Sequence, residues 1–180
     1  MFVSRIATIL VGVVTQSCLA WWLGPADRGS YSVCLLYSMV LGVIFTLGLD
    51  AAAQYLISSR KLSFSQGVST ALTFCLIGAA LAVAIGYVAT HLPLSFFQKA
   101  PLSAFFLSLI LVPFQMAGVF AYQILTALKD FTRLGILACI QSVLQLFATV
   151  IFVRFAKLGI NGAMLATISV SALRTIFSAR

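Results

Sequence analysis

Few side chains of this 180-residue chain could transfer protons or bind ions. Its three acidic residues are Asp27, Asp50 and Asp130, and it has a single histidine. Asp27 and Asp130 fall in polar turns, whereas Asp50 lies late in a long apolar run. An ionisable group at membrane depth is costly, so Asp50 is a candidate for binding a cation, relaying a proton or contacting a polar substrate. The alternative is that Asp50 meets water at the interface or pairs with Arg60.

Uncharged amides are the second group of candidates. Six glutamines lie within apolar stretches: Gln16, Gln54, Gln115, Gln123, Gln141 and Gln145. Such amides could line a cleft that hydrogen-bonds sugar hydroxyls, or they could hydrogen-bond between helices, which is worth about 0.6 kcal/mol each. Gln141 and Gln145 are one helical turn apart and therefore share a helix face. We predict substrate or ion binding at Asp50, Gln16, Gln54, Gln141 and Gln145.

No catalytic or metal-binding arrangement is visible. A carboxylate pair or a Ser-His-Asp triad needs convergent groups that one histidine and three scattered aspartates do not supply. The four cysteines lie inside apolar stretches without CxxC spacing, so they are better explained as packing residues than as ligands. The sequence therefore predicts a protein that is not an enzyme and that needs no cofactor or metal.

The elements that must position these residues are apolar helices. The chain is 62% hydrophobic and only 8% charged, so lipid must be the solvent for most of its exterior. The apolar runs are continuous rather than alternating, which favours helices over a barrel. Each run is long enough to cross a bilayer, and together they predict one transmembrane domain over residues 1–180 with six helices: Ile6–Leu23, Ser32–Ile57, Gln66–Thr90, Leu102–Leu128, Leu134–Val153 and Ile160–Phe177.

The basic residues predict an orientation. The net charge is +8, and the cations alternate between two groups of turns. An N-terminus in the cytoplasm places seven on the inner side: Arg5, Arg60, Lys61, Lys129, Arg133, Arg174 and Arg180. Four then lie outside: Arg28, Lys99, Arg154 and Lys157. This asymmetry favours a cytoplasmic N-terminus in the inner membrane, and it relates the charge to topology and anionic lipid rather than to nucleic acid.

The amino-acid sequences of the turns resemble those of a known family. The stretches Leu23-Gly24-Pro25-Ala26-Asp27-Arg28-Gly29-Ser30-Tyr31, Leu47-Gly48-Leu49-Asp50-Ala51-Ala52 and Leu158-Gly159-Ile160-Asn161-Gly162-Ala163-Met164-Leu165-Ala166-Thr167 carry the likeness. A fourth stretch, Leu125-Thr126-Ala127-Leu128-Lys129-Asp130-Phe131, supports it. In order and spacing these are similar to the oligosaccharide flippases, or polysaccharide biosynthesis transporters, of the multidrug/oligosaccharidyl-lipid/polysaccharide (MOP) exporter superfamily.

The resemblance implies an all-α polytopic membrane protein whose six transmembrane helices form one lobe of a MATE/flippase-like bundle. It implies transfer of a lipid-linked oligosaccharide between leaflets during polysaccharide biosynthesis, with membrane lipid and a second lobe or another copy as further partners. Family members have about twelve or more helices, so a chain ending after six is expected to supply one wall of the cavity and to be incomplete alone. Family cavities also use cations for the substrate pyrophosphate, and no clear arginine or lysine lies away from the helix ends here.

Two other functions fit the same residues. A cation-coupled drug or metabolite antiporter of the same superfamily would use Asp50 as its coupling residue. A membrane subunit that assembles with glycan enzymes would transport nothing itself.

Overall fold

The protein is all-α in the part of the chain that the structure, a computed structural model, describes: residues 2–46, 48–59, 64–90, 101–127 and 131–178. This confirms the predicted fold class at that level. The α-helices are α1 (Phe2–Thr46), α2 (Leu49–Ser58), α3 (Phe64–Thr90), α4 (Leu102–Ala127), α5 (Phe131–Thr149) and α6 (Gly159–Ser178). A π-helical segment, Val150–Phe155, continues α5.

The chain is a membrane protein by the length and apolarity of its helices. Four helical stretches within the described residues could cross a bilayer: Arg5–Thr46, Leu72–Thr90, Leu102–Ala127 and Thr132–Phe155. The predicted count of six transmembrane helices is not supported on these criteria, since Arg5–Thr46 is one of the four and α6 is not among them.

The first polar turn is much shorter than its sequence predicts. Only Gly24 departs from helical geometry, at φ 75° and ψ 172°, and helix resumes at Pro25. The prediction of a loop up to Ser30, with the next helix beginning at Ser32, is therefore wrong. Glycine adopts the left-handed φ that ends a helix, and proline is pre-organised for the first position of the next one. Gly24 thus divides α1 into a first arm, residues 2–23, and a second arm, residues 25–46.

The first arm runs along α5. Near Gly24, Leu19 belongs to a buried cluster with Phe105 of α4 and Val153 of the π segment. Towards its start, Thr8 Oγ1 lies 3.9 Å from Cys139 Sγ, well along α5 from Val153. The first arm therefore leads away from the end of the bundle where Phe105 and Val153 meet.

The second arm leads away from the same end, along α4. The rings of Tyr37 and Phe105 pack edge to face with centroids 5.7 Å apart. Farther along, Phe45 O and Met116 Cε both lie 3.0 Å from the Cβ position that Gly78 would have. The two arms are consequently antiparallel, and α1 is a helical hairpin with its turn at Gly24.

A second break corrects the prediction of one helix over Ser32–Ile57. The second arm ends at Thr46, Gly48 has φ 72°, and α2 begins at Leu49. A glycine at positive φ stops a helix because side-chain-bearing residues rarely adopt that conformation. The bounds of α3, α4 and α6 agree with the sequence-based bounds to within about two residues.

Small residues bring α3 close to its neighbours. Gly78, Ala82 and Gly86 recur every fourth residue, and Ala82 is fully buried. A Cβ on Gly86 would overlap Leu109 Cδ2, so the two helices approach closely, as small residues allow in membranes. Tyr37 Oη donates a 2.6 Å hydrogen bond to Gly86 O at this point. These small residues bring α3 against the second arm and α4. The first arm has a face that nothing in the described structure covers, with Ile9, Val13 and Trp21 exposed.

Candidate functional site

A groove follows the uncovered face of the first arm. It is a shallow concavity of about 720 Å³ that is mostly open to the outside. Helical spacing places its floor residues in one line, and Gly12 deepens it because nothing lies within 4 Å of the Cβ position it lacks. Its lining residues are Ile9, Gly12, Val13, Gln16, Ser17, Ala20, Trp21 and Arg28.

Three polar side chains converge on this groove. Gln16 and Ser17 are exposed on the first arm, and Arg28 reaches in from the start of the second arm. The amide of Gln16 has no hydrogen-bond partner within the described part of the chain. Arg28 is close enough to share the groove only because the Gly24 turn folds the second arm back on the first. The groove therefore offers an amide, a hydroxyl and a guanidinium to a ligand.

The surroundings of these polar groups are apolar and exposed. Ile9 is 63% exposed and Trp21 is 86% exposed, so the same face presents both apolar side chains and polar groups. Amides facing hydrocarbon without a partner are unfavourable, because nothing there replaces water. This face suits water, a ligand or another protein surface better than lipid tails.

Gln141 lies in a different cavity. This one is partly enclosed, holds about 60 Å³, and is bounded by α4, α5 and α6. Arg174 of α6 also lines it, with its Nη2 at 3.5 Å from Gly118 O. The sequence predicts Arg174 near a helix end on the inner side. It does lie near the end of α6, and its guanidinium is half-buried between helices.

Gln145 forms an interhelical hydrogen bond. Its Nε2 lies 3.3 Å from Thr167 Oγ1, which also lies 3.0 Å from Tyr31 Oη and 3.0 Å from Ala163 O. If the Thr167 hydroxyl donates to Ala163, it accepts from both Gln145 and Tyr31. The alternative of interhelical bonding, left open in the sequence, thus describes Gln145, and this node joins α5, α6 and the second arm.

The remaining two predicted site residues lie on α2. Gln54 is half-buried there. Asp50 falls in the same helix, but its side chain lies outside the described residues. α2 packs against α3 and α4, away from the groove on the first arm.

The five predicted residues therefore do not form one site. Gln16 lines the groove, Gln141 lines the enclosed cavity and Gln145 belongs to the hydrogen-bonded node. Sequence reasoning missed Ser17, Arg28 and Arg174 as companions of these amides. The spacing of Gln16, Ser17 and Ala20 could have indicated a shared face, but the approach of Arg28 depends on a turn whose tightness the sequence did not reveal.

The chain has no match among the protein-family models, the curated proteins or the solved structures with which it was compared. The fold and the groove define a helical membrane protein with a polar concavity on an apolar face.

Proposed function

We propose that this chain is one lobe of a membrane transporter of the oligosaccharide-flippase type, and that the groove on the first arm of α1 is its wall of the translocation path. The substrate class is a lipid-linked oligosaccharide, and the site is the inner membrane with a cytoplasmic N-terminus. Six crossings then come from the two arms of α1 and from α3, α4, α5 with its π segment, and α6.

The length of α1 supports two crossings. The run Arg5–Thr46 has 42 residues. At about 1.5 Å per residue, an unbroken helix of that length would be about twice as long as a bilayer core of about 30 Å. The antiparallel arms resolve this excess, since each has the length of one crossing. α6, with 20 residues, reaches about 30 Å.

The combination of groups in the groove carries the proposal. Gln16 and Ser17 can hydrogen-bond sugar hydroxyls, Arg28 can pair with a phosphate, and Ile9 and Val13 can lie beside a lipid chain. Arg28 supplies the cation that the family resemblance requires and that the sequence did not place in a cavity. A groove open along one side forms one wall, so a second lobe or a second copy of the chain would provide the other.

The direct test is binding of a fluorescent lipid-linked oligosaccharide to the purified chain in detergent. Gln16→Leu and Arg28→Gln should each weaken binding roughly tenfold or more, because each removes a polar contact to the ligand. Arg154→Gln is the matched control: Arg154 is exposed at the same end of the molecule and does not line the groove. It should bind like the parent chain.

Transport is tested separately, by rescue of a flippase-deficient strain with this chain alone and with a second six-helix lobe. Rescue that is lost with Arg28→Gln supports the proposal. Binding that is equal in all three variants, or no rescue under either condition, contradicts it. Co-purification with a glycosyltransferase without transfer between leaflets would favour the non-transporting subunit instead.

A further inference from the structure

The enclosed cavity around Arg174 has the features of a second binding site. It lies between α4, α5 and α6 and shares no lining residue with the groove on the first arm. Three side chains bring polar groups to it: Tyr122 from α4, Gln141 from α5 and Arg174 from α6. The remaining lining is aliphatic or glycine, so these groups are concentrated in an otherwise apolar space.

The guanidinium of Arg174 lies against the backbone of α4. Its nearest approach is at Gly118, where the Cβ that glycine lacks would be 3.7 Å from Arg174 Cζ. The Nη2–O distance to Gly118 is 3.5 Å, at the outer limit of a hydrogen bond. A guanidinium carries five N–H donors, so this single long contact satisfies little of its capacity.

No carboxylate that the structure describes lies near Arg174. Asp27 is the one acidic residue whose side chain the structure describes, and it is exposed beside the Gly24 turn, at the opposite end of the helices. Within the described residues, Arg174 thus has one long backbone contact and no carboxylate, and a half-buried cation with so few contacts is unfavourable. An anion in the cavity would remove this cost and use the donors that face it.

We propose that the Arg174 cavity binds a phosphate group through Arg174, Gln141 and Tyr122. A guanidinium, an amide N–H and a phenolic O–H are all donors to phosphate oxygens, and the planar guanidinium can contact two of those oxygens at once. The volume of about 60 Å³ is of the size of a phosphate group and excludes a saccharide. This site is distinct from the groove proposed for transport.

The position in the bundle favours an acidic phospholipid as the source of that phosphate. Arg5 and the exposed Arg133 lie at the same end of the helices as Arg174, because the first arm and α5 both begin there. Basic cavities between helices at a membrane face are suited to anionic headgroups. Tyr122 is 44% exposed on α4, so the cavity has a side that lipid can approach.

The test compares retention of phosphatidylglycerol with that of phosphatidylcholine after the purified chain is taken through detergent, measured by native mass spectrometry. The parent chain should retain phosphatidylglycerol preferentially. Arg174→Gln should reduce that retention roughly tenfold or more, and Tyr122→Phe and Gln141→Leu by smaller factors. A parallel titration with inorganic phosphate, following the melting temperature against chloride at equal ionic strength, distinguishes free phosphate from lipid.

Two charge-matched variants serve as controls. Arg133→Gln removes an exposed cation from the same end and Arg154→Gln removes an exposed cation from the other end, and both should retain phosphatidylglycerol like the parent chain. A response to phosphate and lipid alike assigns the site to phosphate in general; a response to lipid alone assigns it to the headgroup. Equal losses in all three arginine variants, or no preference in the parent chain, overturn the proposal. Loss of saccharide binding in Arg28→Gln alone leaves it intact.

Discussion

At the scale of single residues, hydroxyl groups show how this apolar chain accommodates polarity. Thr15, Thr73, Ser142 and Thr167 all donate to the carbonyl four residues earlier. Thr149 differs: it is 1% exposed, and its Oγ1 has no hydrogen-bond partner among the described residues. It stands directly before the π segment, where the helical hydrogen-bond pattern changes. A buried hydroxyl without a partner costs about 1–3 kcal/mol.

Replacing Thr149 with valine should therefore stabilise the protein. Valine has nearly the same shape and removes the unpaired oxygen, so we expect a gain of about 1 kcal/mol or more in the free energy of unfolding. The measurement is denaturant unfolding in detergent micelles. Thr15→Val is the matched control: Thr15 is also buried, but its hydroxyl donates to Val11 O at 2.8 Å, so this change should be neutral or destabilising. Equal effects of the two substitutions would show that the Thr149 hydroxyl is satisfied.

At the scale of elements, the junction of α5 and α6 is a tight turn with close backbone contacts. The π segment ends with Ala156 N donating to Ile151 O at 3.0 Å, and Leu158 N donates to Phe152 O at 3.4 Å. Lys157 and Gly159 both have positive φ, which reverses the chain. Gly162, in the first turns of α6, then meets the Phe152 carbonyl so closely that a side chain there has no space.

Gly162→Ala should consequently destabilise the protein by about 1–3 kcal/mol. The new Cβ would lie 2.7 Å from Phe152 O and 3.0 Å from Leu158 Cβ, and the first of these is backbone that cannot rotate away. Gly29→Ala provides the comparison, since Gly29 is helical and nothing lies within 4 Å of its Cβ position. That change should be neutral or stabilising by about 0.5–1 kcal/mol. Thermal unfolding of both variants in the same micelles measures the difference, and equal melting temperatures would contradict the expectation.

The bounds of helices that end at polar turns could be predicted from the sequence, whereas a helix end at a glycine inside an apolar run could not. Composition and continuous apolar runs were sufficient for an all-helical membrane protein, and α4 starts at Leu102 as predicted. The sequence predicts no break at Gly48, because a glycine flanked by leucines has the same pattern whether its φ is helical or positive. The sequence places Arg174 among the cations of the inner side but does not predict that its side chain is half-buried, because periodicity gives a residue's helix face and not the helix that packs on it. Gln145 and Gln141 share a face, yet their roles differ because Thr167 meets one and Arg174 accompanies the other.

At the scale of the whole molecule, the described cations divide between the two ends of the bundle. Arg5, Arg133 and Arg174 lie at the end where the arms of α1 are farthest from their turn. Arg28, Arg154 and Lys157 lie at the end with the Gly24 turn. Arg28 of the groove and Arg174 of the cavity therefore lie at opposite ends of the bundle, which is the arrangement expected of a protein with both faces in contact with water.

Cysteine labelling tests this arrangement. Arg28→Cys and Arg154→Cys should react with a membrane-impermeant maleimide from one side of sealed vesicles, and Arg133→Cys from the other, because the two arms of α1 cross in opposite directions. The parent chain controls for Cys18, Cys34, Cys75 and Cys139, which lie within helices and are buried or half-buried. Labelling of the Arg28 and Arg133 positions from the same side would rule out the hairpin as two crossings.

The Gly24 turn also bears on how the chain is made. With a single non-helical residue between the arms, there is no length of chain that would let them enter the bilayer one after the other. The arms must insert together during synthesis, and the apolar surface of both must offset the transfer of Asp27 and Arg28 to the far side, a cost of about 2.5–3.5 kcal/mol for each charge at the membrane centre. An insertion that lengthens this turn, or a substitution that straightens it, would therefore act before folding. It would lower the yield of inserted protein rather than the stability of the finished bundle.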